Sequence, residues 1–331
     1  MTMCIRVGLV AGILGISCGS AVQAQSPSSA SPQSYPAKPI RLIVGYTPGG
    51  GTDVLSRVLA KYLGENLKQT VIVDNRPGAG GLLATQLVAN APPDGYTLLT
   101  TPSTHAINPG LYAKLPYDSI KDFTSVGLIA TSPNVVVVHA SLPVRSVREL
   151  IALAKAHPGE LAFGSAGVGS TTHLAGEYFR SMAQIRTVHV PYKGSSQAEI
   201  DLSIGEVQFM IDSTPAALPN IRAGRTRALA TTGTRRFSGL PDVPTVMESG
   251  LPRYESVSWW GIIGPAGMTP DVVSRLNGEI AKIMLMPEVK KLTLAQGAEA
   301  STSTPGEFLE YMKSEMALYT RVIKEAGIQS P

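Results

Sequence analysis

Apolar and polar residues follow two alternating periods along residues 36–331. Short apolar runs, typical of buried strands, recur between stretches in which apolar residues stand three or four apart, as on one face of a helix. The runs that predict strands are 40–45, 71–74, 96–100, 126–130, 135–139, 161–163, 187–190, 207–211, 227–231 and 256–263. Because strand and helix patterns alternate, the sequence predicts an α/β fold with largely parallel sheets.

The limits of the predicted helices come from caps and prolines. Ser146 and Thr304 each have a glutamate three residues later, which is the pattern of a capping box. Prolines stand at the start of the C-terminal helices, where the missing N–H would have no partner in the helix. The predicted helices are 53–64, 146–156, 270–284, one that begins at residue 287, and 305–326.

Two glycine-rich turns each close a predicted strand and open a predicted helix. The first turn is 48–53 (Pro-Gly-Gly-Gly-Thr-Asp), and the second is 164–172 (Gly-Ser-Ala-Gly-Val-Gly-Ser-Thr-Thr). Glycine lets the backbone approach a ligand closely, and the helix that follows offers free N–H groups and the positive end of its dipole. The sequence therefore predicts two anion-binding turns that hold one small anion between two lobes. The alternative is that the same residues only make tight turns and helix caps.

The first residues of the chain have the pattern of an export signal. Arg6 is the only charged residue before residue 38, an apolar stretch covers 7–16, and residues 22–24 (Val-Gln-Ala) are suited to a signal peptidase. We therefore expect a signal peptide at 1–24, a flexible leader at 25–35 and a mature protein in the periplasm.

Both cysteines of the chain, Cys4 and Cys18, would leave with that signal. Gly15 stands where a lipoprotein signal has leucine, which disfavours the alternative of lipidation at Cys18. A cysteine-free mature chain has no disulfide, no thiol nucleophile and no thiolate metal site. The net charge of +4 is small and dispersed, so we expect no nucleic acid partner.

Seven short motifs then occur in order along the chain. They are Tyr35-Pro36 with 38–40 (Lys-Pro-Ile), 48–53, 73–81 (Val-Asp-Asn-Arg-Pro-Gly-Ala-Gly-Gly), 93–98 (Pro-Asp-Gly-Tyr-Thr-Leu), 164–167 through His173, 190–194 (Val-Pro-Tyr-Lys-Gly) and 264–267 (Gly-Pro-Ala-Gly). This succession resembles the Bug-type substrate-binding proteins of tripartite tricarboxylate transporters over essentially the whole mature chain. The resemblance implies a type II periplasmic binding protein, in which two α/β lobes enclose a carboxylate-binding cleft. The implied lobes are 36–133 with 233–331, and 134–232.

The ligand-binding residues expected from the turns and the resemblance lie where strands end, as in other open α/β sheets. In the first lobe they are Gly49, Gly50, Gly51, Thr52, Ser103, Thr104 and His105. In the second lobe they are Ser165, Ala166, Gly167, Gly169, Ser170, Thr171, Tyr192 and Asp212. Alternatives stay open for four of them: His105 as an ordinary loop residue, and Ser170, Thr171 and Asp212 as helix caps.

Four other residues near these turns have separate expectations. Asp53 would repel an anion, so we expect it to fix its loop or cap the helix. Arg76 is a possible anion clamp, but in the family that this chain resembles the turn looks structural. Trp259 and Trp260 are the only tryptophans, and neighbours on a strand point to opposite faces. One of them should therefore lie in the core, while the other can line the cleft.

Signatures of catalysis and of cofactors are missing from the sequence. Neither Gly-x-Ser-x-Gly nor Ser-x-x-Lys occurs, and the dinucleotide and Walker patterns fail. His173 and Glu177 have a metal-ligand spacing without an evident third ligand. We therefore expect no enzyme, no cofactor and no metal. The resemblance implies instead a monomeric receptor that delivers a carboxylate to the subunits of a membrane permease. A carboxylate sensor that signals to a membrane kinase is the alternative, and the ligand can be a dicarboxylate, tricarboxylate, acidic amino acid or aromatic carboxylate.

Overall fold

A computed structural model describes residues 35–192 and 194–328. The predicted signal peptide 1–24, the leader up to residue 34 and both cysteines lie outside these ranges. The strands are β1 (Ile40–Val44), β2 (Val71–Asn75), β3 (Thr97–Pro102), β4 (Phe123–His139), β5 (Ala162–Ser165), β6 (Val188–Pro191), β7 (Phe209–Ser213), β8 (Thr226–Thr231), β9 (Val257–Pro265) and β10 (Glu299–Ala300).

The helices include one at each of the five predicted positions. They are α1 (Gly51–Leu67), α2 (Leu82–Ala89), α3 (Thr104–Leu111), α4 (Val147–Ala156), α5 (Thr171–Ala183), α6 (Ser195–Ile204), α7 (Thr214–Arg222), α8 (Pro270–Leu285), α9 (Pro287–Ala295) and α10 (Pro305–Ala326), with a short 3-10 helix at Ala79–Gly81. The capping box of α10 is present between Thr304 and Glu307, and Ser146 caps α4. In the ranges that the structure covers, no helix combines the length and the apolar character needed to cross a membrane.

The strands form one continuous sheet in the order β2-β1-β3-β9-β4-β7-β5-β6, and β8 and β10 also pair with β4. The predicted strands 126–130 and 135–139 are parts of the single strand β4, because the intervening residues stay paired with β9 and β7. The expectation of largely parallel sheets holds for β2-β1-β3 and for β6-β5-β7. It is wrong at the centre, where β9 and β4 run antiparallel to their neighbours.

The two ends of this sheet have the same topology. Along the chain, β1-α1-β2-α2-β3-α3 gives the strand order β2-β1-β3, and β5-α5-β6-α6-β7-α7 gives the order β6-β5-β7. We call the part of the sheet with β1–β3 the first half and the part with β5–β7 the second half. The first glycine turn joins β1 to α1 and the second joins β5 to α5, so the two turns are topologically equivalent.

Each half has its own apolar core. Leu42 and Leu59 belong to the cluster of the first half, and Phe163 and Phe209 to that of the second. A further cluster joins the halves: Leu174 of α5, which is fully buried, packs against Ile107, Tyr319, Val322 and Ile323 of α3 and α10. Burial of a leucine side chain stabilises by roughly 1.5–3 kcal/mol, so this contact contributes to holding the halves together.

Candidate functional site

A cavity of about 370 Å³ lies between the two halves, where β4 and β9 cross the middle of the sheet. Its volume falls in the range of roughly 300–1,000 Å³ that is usual for small-molecule sites. The lining residues are Tyr46, Gly51, Thr52, Leu55, Pro102, Ser103, Thr104, Ser132, Thr171, Ser213, Pro215, Ser258, Trp260, Gln296 and Ala298. Among these described residues, none has an acidic or a basic side chain.

Four helices begin at this cavity. The first residues or N-caps of α1, α3, α5 and α7 are among its lining residues, because each of these helices follows a strand whose carboxyl end faces the cavity. The first N–H groups of a helix have no carbonyl partner within it, and the helix dipole places partial positive charge there. Side chains do not cap α1, α3 or α7, whereas Ser170 caps α5. The partial positive charge of four helix starts therefore meets at a cavity whose described lining has no charged side chain.

The first turn is held by a buried carboxylate. Asp53, whose side chain is 3% exposed, accepts hydrogen bonds from Gly49 N, Asn75 Nδ2 and Arg57 Nε, each at 2.9 Å. Burial would raise the pKa of Asp53, but these hydrogen bonds and the Arg57 charge outweigh burial and lower it. Asp53 fixes the loop, as expected. Its carboxylate accepts the hydrogen bond of the Gly49 N–H. Gly51, the first residue of α1, lines the cavity.

The two tryptophans point to opposite faces of β9. Trp259 is fully buried, and its indole Nε1 donates to Glu315 Oε2 at 3.3 Å. Trp260 lines the cavity, and its Nε1 donates to Thr52 Oγ1 at 2.9 Å. A methyl group added at Gly51 would meet the Trp260 ring at 3.8 Å, so this ring stands directly beside the start of α1.

The loop after β3 is only partly at the cavity. Ser103 and Thr104 line it, and Thr104 Oγ1 is 2.8 Å from the hydroxyl of Tyr46. His105 points elsewhere: its Nε2 lies 2.9 Å from the carbonyl oxygen of Ser119, and its ring packs against Phe123 at 5.2 Å. Burial lowers the pKa of His105 to about 4, so this imidazole is neutral at neutral pH.

In the second turn, backbone N–H groups donate hydrogen bonds to nearby side chains. Its bonds are Ala166 N to Thr172 Oγ1 at 2.9 Å, Gly167 N to Ser165 Oγ at 3.2 Å, and Gly169 N to His173 Nδ1 at 3.1 Å. The Ser170 hydroxyl accepts from His173 N at 3.2 Å and donates to the Gly167 carbonyl at 2.7 Å. Of the predicted residues in this turn, the structure brings only Thr171 to the cavity.

A pair of stacked histidines, His173 and His189, contacts the second turn. The rings of His173 and His189 stack at 3.9 Å, and His189 Nε2 lies 2.7 Å from Ser165 Oγ. Burial and the neighbouring His173 lower the pKa of His189 to about 4. Glu177 Oε1 is 3.7 Å from His173 Nε2. Within the described ranges, no group of three or more His, Cys, Asp or Glu residues could hold a metal ion.

Tyr192 and Asp212 do not line the cavity. The Tyr192 hydroxyl donates to Asp201 Oδ2 at 2.7 Å. Asp212 is fully buried, and its Oδ1 accepts from Ser195 Oγ at 2.7 Å and from Ser213 N at 2.8 Å. Burial raises the pKa of Asp212. Its neighbour Ser213 does reach the cavity.

Several lining residues were not predicted from the sequence. They are Tyr46, Leu55, Pro102, Ser132, Ser213, Pro215, Ser258, Gln296 and Ala298. Ser258 stands two residues before Trp260 on β9, so strand alternation places both on one face. Gln296 and Ala298 lie in the connection from α9 to β10, and no local pattern in the sequence marks that connection.

Comparison with known proteins gives consistent matches. The family described as "Tripartite tricarboxylate transporter family receptor" matches residues 55–328. Protein BugT of Bordetella pertussis is 37% identical over 324 residues, which are 97% of this chain and 98% of BugT. The structure titled "R. palustris Rpa4515 with adipate" is 38% identical, with a TM-score of 0.76 over 90% of this chain and 100% of that one.

A second solved structure, of the periplasmic binding protein BugD, is 30% identical, with a TM-score of 0.72 over 90% of this chain and 100% of that chain. These matches confirm the predicted fold. The matched family consists of receptors, which also confirms that a non-enzymatic role was the right expectation. The chain belongs to the receptors of the tripartite tricarboxylate transporter family and is related to the Bug proteins.

Proposed function

We propose that this chain is a periplasmic receptor that captures a small carboxylate in the cavity between its halves and delivers it to a membrane permease. One observation carries the proposal: four helices begin at a cavity whose described lining has no acidic or basic side chain. The relative Rpa4515, whose structure contains adipate, supports a carboxylate as the ligand.

The carboxylate would bind at the start of α1 and α3. The N–H groups of Gly51 and Thr52 and the hydroxyls of Thr52 and Thr104 are the donors that the first half offers there. Each hydrogen bond to a charged group contributes roughly 1.5–3 kcal/mol, and a helix N-terminus adds about 0.3–1 kcal/mol.

Closure of two lobes would complete the site. We place the lobes at 36–133 with 233–331, and at 134–232, because the chain passes between the halves near Asn134 and Thr232. Thr171 and Ser213 reach the cavity from the second lobe. A ligand that contacts both lobes favours the closed state by as much as it binds that state more tightly. The permease would then recognise the closed form.

Export is the remaining part of the proposal. The signal at 1–24 predicts that the mature chain begins near Gln25, and the periplasmic relative BugD supports this location. Mass spectrometry of protein from the periplasm measures the first residue. A lipid-modified Cys18 at the N-terminus would contradict cleavage after residue 24.

The decisive experiment is a binding screen on refolded, ligand-free protein. We expect at least one carboxylate among hexanoate, benzoate, adipate, malate, citrate and glutamate to raise the melting temperature, because a ligand that binds only the native state stabilises it. Small-angle scattering with that ligand should give a smaller radius of gyration. If none of the six stabilises the protein, the receptor proposal fails. Gene deletion separates the downstream roles: loss of uptake supports transport, whereas loss of induction with intact uptake supports a sensor.

A further inference from the structure

Two acidic side chains are buried beside each other in the second half. Asp212 lies near the end of β7 and is fully buried, and Glu199 of α6 is only 3% exposed. Within the described ranges, no basic side chain pairs with either carboxyl group. Removing a carboxylate from water is costly unless an opposite charge or hydrogen bonds compensate it, so such a pair needs another source of stability.

Each of these carboxyl groups has one oxygen with a donor and one without. Asp212 Oδ1 accepts from Ser195 Oγ and Ser213 N, and Glu199 Oε2 accepts from Asn220 Nδ2 at 2.7 Å. Asp212 Oδ2 and Glu199 Oε1 are buried and have no donor among the residues that the structure covers. Two ionised carboxylates would leave both oxygens unsatisfied, whereas a proton on one of them lets that group donate to the other. The arrangement is therefore that of a carboxylic acid bound to a carboxylate.

The surroundings of the pair favour the protonated form. Burial and, after it, the charge of Asp212 raise the pKa of Glu199 to about 7. Burial also raises the pKa of Asp212. The other charged or titratable groups on the described elements around the pair do not contact its oxygens; they are Asp201 of α6, Arg222 of α7, His139 of β4, and Arg225, which donates to Asn220 Oδ1 at 3.4 Å.

The pair lies behind a part of the cavity lining. Ser213 lines the cavity, its N–H donates to Asp212, and α7 begins at the next residue. Neighbouring Cα atoms are about 3.8 Å apart, so an anion against this lining would be on the order of 10 Å from the pair. At an effective dielectric constant of about 20, repulsion over that distance corresponds to a roughly tenfold change in an equilibrium constant. An anion in the cavity therefore favours the protonated pair, and the protonated pair favours the anion equally.

On the basis of the proposed function, we infer that Asp212 and Glu199 share one proton and that the receptor takes up a proton when a carboxylate enters the cavity. The two acids are positioning residues, because they act through their charge and through Ser213 rather than by contact with the carboxylate. Ionisation of the whole pair places a second negative charge behind the start of α7 and offsets the positive end of its dipole. The affinity for a carboxylate should therefore fall as the pH rises through about 7.

Calorimetric titration of adipate at about pH 6.5 and pH 8.5 tests this coupling, because adipate is ionised at both pH values. Malate or benzoate takes its place if the screen favours them. The dissociation constant of the wild type should be roughly three- to tenfold higher at the higher pH. Titrations at about pH 7.5 in two buffers of different ionisation enthalpy should show net proton uptake.

Glu199→Gln is the variant that removes the shared proton and keeps the shape of the side chain. Its amide supplies a permanent donor to Asp212 Oδ2, so the affinity should be the same at both pH values and proton uptake should be absent. Glu315→Gln is the matched control, because Glu315 is also a carboxyl group whose pKa burial raises to about 7, but it accepts from Trp259 Nε1 outside the second half. This control should keep the pH dependence of the wild type.

Thermal melting tests the shared proton without any ligand. The pKa of Glu199 is higher in the folded chain than in the unfolded chain, so the folded chain binds the proton more tightly. The stability that the proton gives is fully present below about pH 4.5 and is lost as the pH rises to about 7. Glu199→Gln and Asp212→Asn should therefore melt above the wild type at about pH 8. If both variants melt below the wild type there, the shared proton is wrong.

The outcomes distinguish this inference from the proposed function. If none of the screened carboxylates binds at either pH, the proposed function fails and the coupling fails with it. If adipate binds with one affinity at both pH values and without proton uptake, the receptor function stands and only the coupling is rejected. Proton uptake that occurs in Lys193→Gln but not in the wild type also rejects it, because Lys193, outside the described ranges, would then neutralise the pair.

Discussion

The two glycine-rich turns occupy equivalent places in the two halves but leave different groups free. In the first turn, one carboxylate, Asp53, holds Gly49, and the start of α1 stays uncapped. In the second turn, Thr172, Ser165 and His173 accept the N–H groups of the loop. The difference teaches that glycines alone do not make an anion site. The side chains that satisfy the loop decide which N–H groups remain for a ligand.

This contrast gives the turns different roles in the proposed clamp. The first turn offers donors to the carboxylate, whereas the second is a rigid support that brings Thr171 to the cavity. Four substitutions or conditions test the contrast, and they are taken from the largest expected effect to the smallest.

Asp53→Ala should have the largest effect. It removes a buried acceptor of three hydrogen bonds, so we expect the free energy of unfolding to fall by about 3 kcal/mol and ligand affinity to fall with the collapse of the first turn. Urea denaturation measures the stability. Glu310→Ala is the control, because its ion pair with Lys313 at 2.7 Å is exposed and should contribute less than about 1 kcal/mol. A loss below that value for Asp53→Ala would contradict the anchoring role.

Gly167→Ala should destabilise the second turn by about 2 kcal/mol. Gly167 has φ +126°, and an added Cβ would lie 2.8 Å from the carbonyl oxygen of Tyr192. The matched change in the first turn is Gly51→Ala, where the nearest atom to the new Cβ is 3.8 Å away. We expect Gly51→Ala to retain its stability but to bind the carboxylate found in the screen more weakly, since the methyl group enters the cavity. Equal destabilisation of both variants in thermal melting would remove the distinction between the turns.

Acid should weaken the second turn at a higher pH than the first. The pKa of His189 is lowered to about 4, so the folded protein binds this proton less readily than the unfolded chain does. The stability that neutral His189 contributes is fully present above about pH 6.5. It is lost as the pH falls towards 4, with a slope of up to about 1.4 kcal/mol per pH unit. His189→Gln should reduce this slope. The slope that remains combines His105, whose pKa is also about 4, with the opposite contributions of Glu199 and Glu315, whose pKa values burial raises to about 7. The pKa of Asp53 is lowered instead, so its contribution is lost only below about pH 4.

For the acid effect, unfolding by urea at several pH values between 4 and 7 is the measurement. His157→Gln is the matched control variant, because the His157 side chain is half exposed. An identical slope in wild type and His189→Gln would show that the histidine pair does not support the loop.

Ser170→Ala should have the smallest effect. Its hydroxyl caps α5, so we expect a loss of about 1 kcal/mol in stability and an unchanged affinity. Thr52→Val, its counterpart in the first half, should weaken binding of the carboxylate found in the screen about ten- to a hundredfold, which corresponds to one hydrogen bond to a charged group. Calorimetric titration measures both. A weaker ligand affinity of the Ser170→Ala variant would show that the second turn contributes to ligand binding.

Much of the fold could be predicted from the sequence because its signals are local. Caps and prolines fixed the limits of α8 and α10, and glycine turns marked the junctions of β1 with α1 and of β5 with α5. The antiparallel centre of the sheet could not be predicted, because the sequence around Ser132 and Pro133 looks like a break between two strands. In the structure, β4 continues through both residues. Pairing with β9 and β7 decides the strand there, and that pairing is a property of the tertiary structure.

The site was predictable at the level of elements but not of atoms. Thr52 and Thr104 stand where strand ends were expected, and alternation on β9 correctly separated the two tryptophans. His105 follows the end of β3, and Ser165 is the last residue of β5. Hydrogen bonds to partners elsewhere in the sequence, Ser119 and His189, hold them away from the cavity. Which polar groups a loop satisfies internally depends on such partners, and a single sequence does not disclose them.

The junction at Asn134 has a consequence for protein engineering. Thr232 N donates to the carbonyl oxygen of Asn134 at 2.9 Å, so the segment 134–232 enters and leaves the rest of the molecule at one point. A domain whose ends are adjacent can be transplanted or circularly permuted with little disturbance of its host. An exchange of this segment with that of a relative would also have to include Val246, Leu251 and Tyr254, because these later residues lie in the apolar core of the second half.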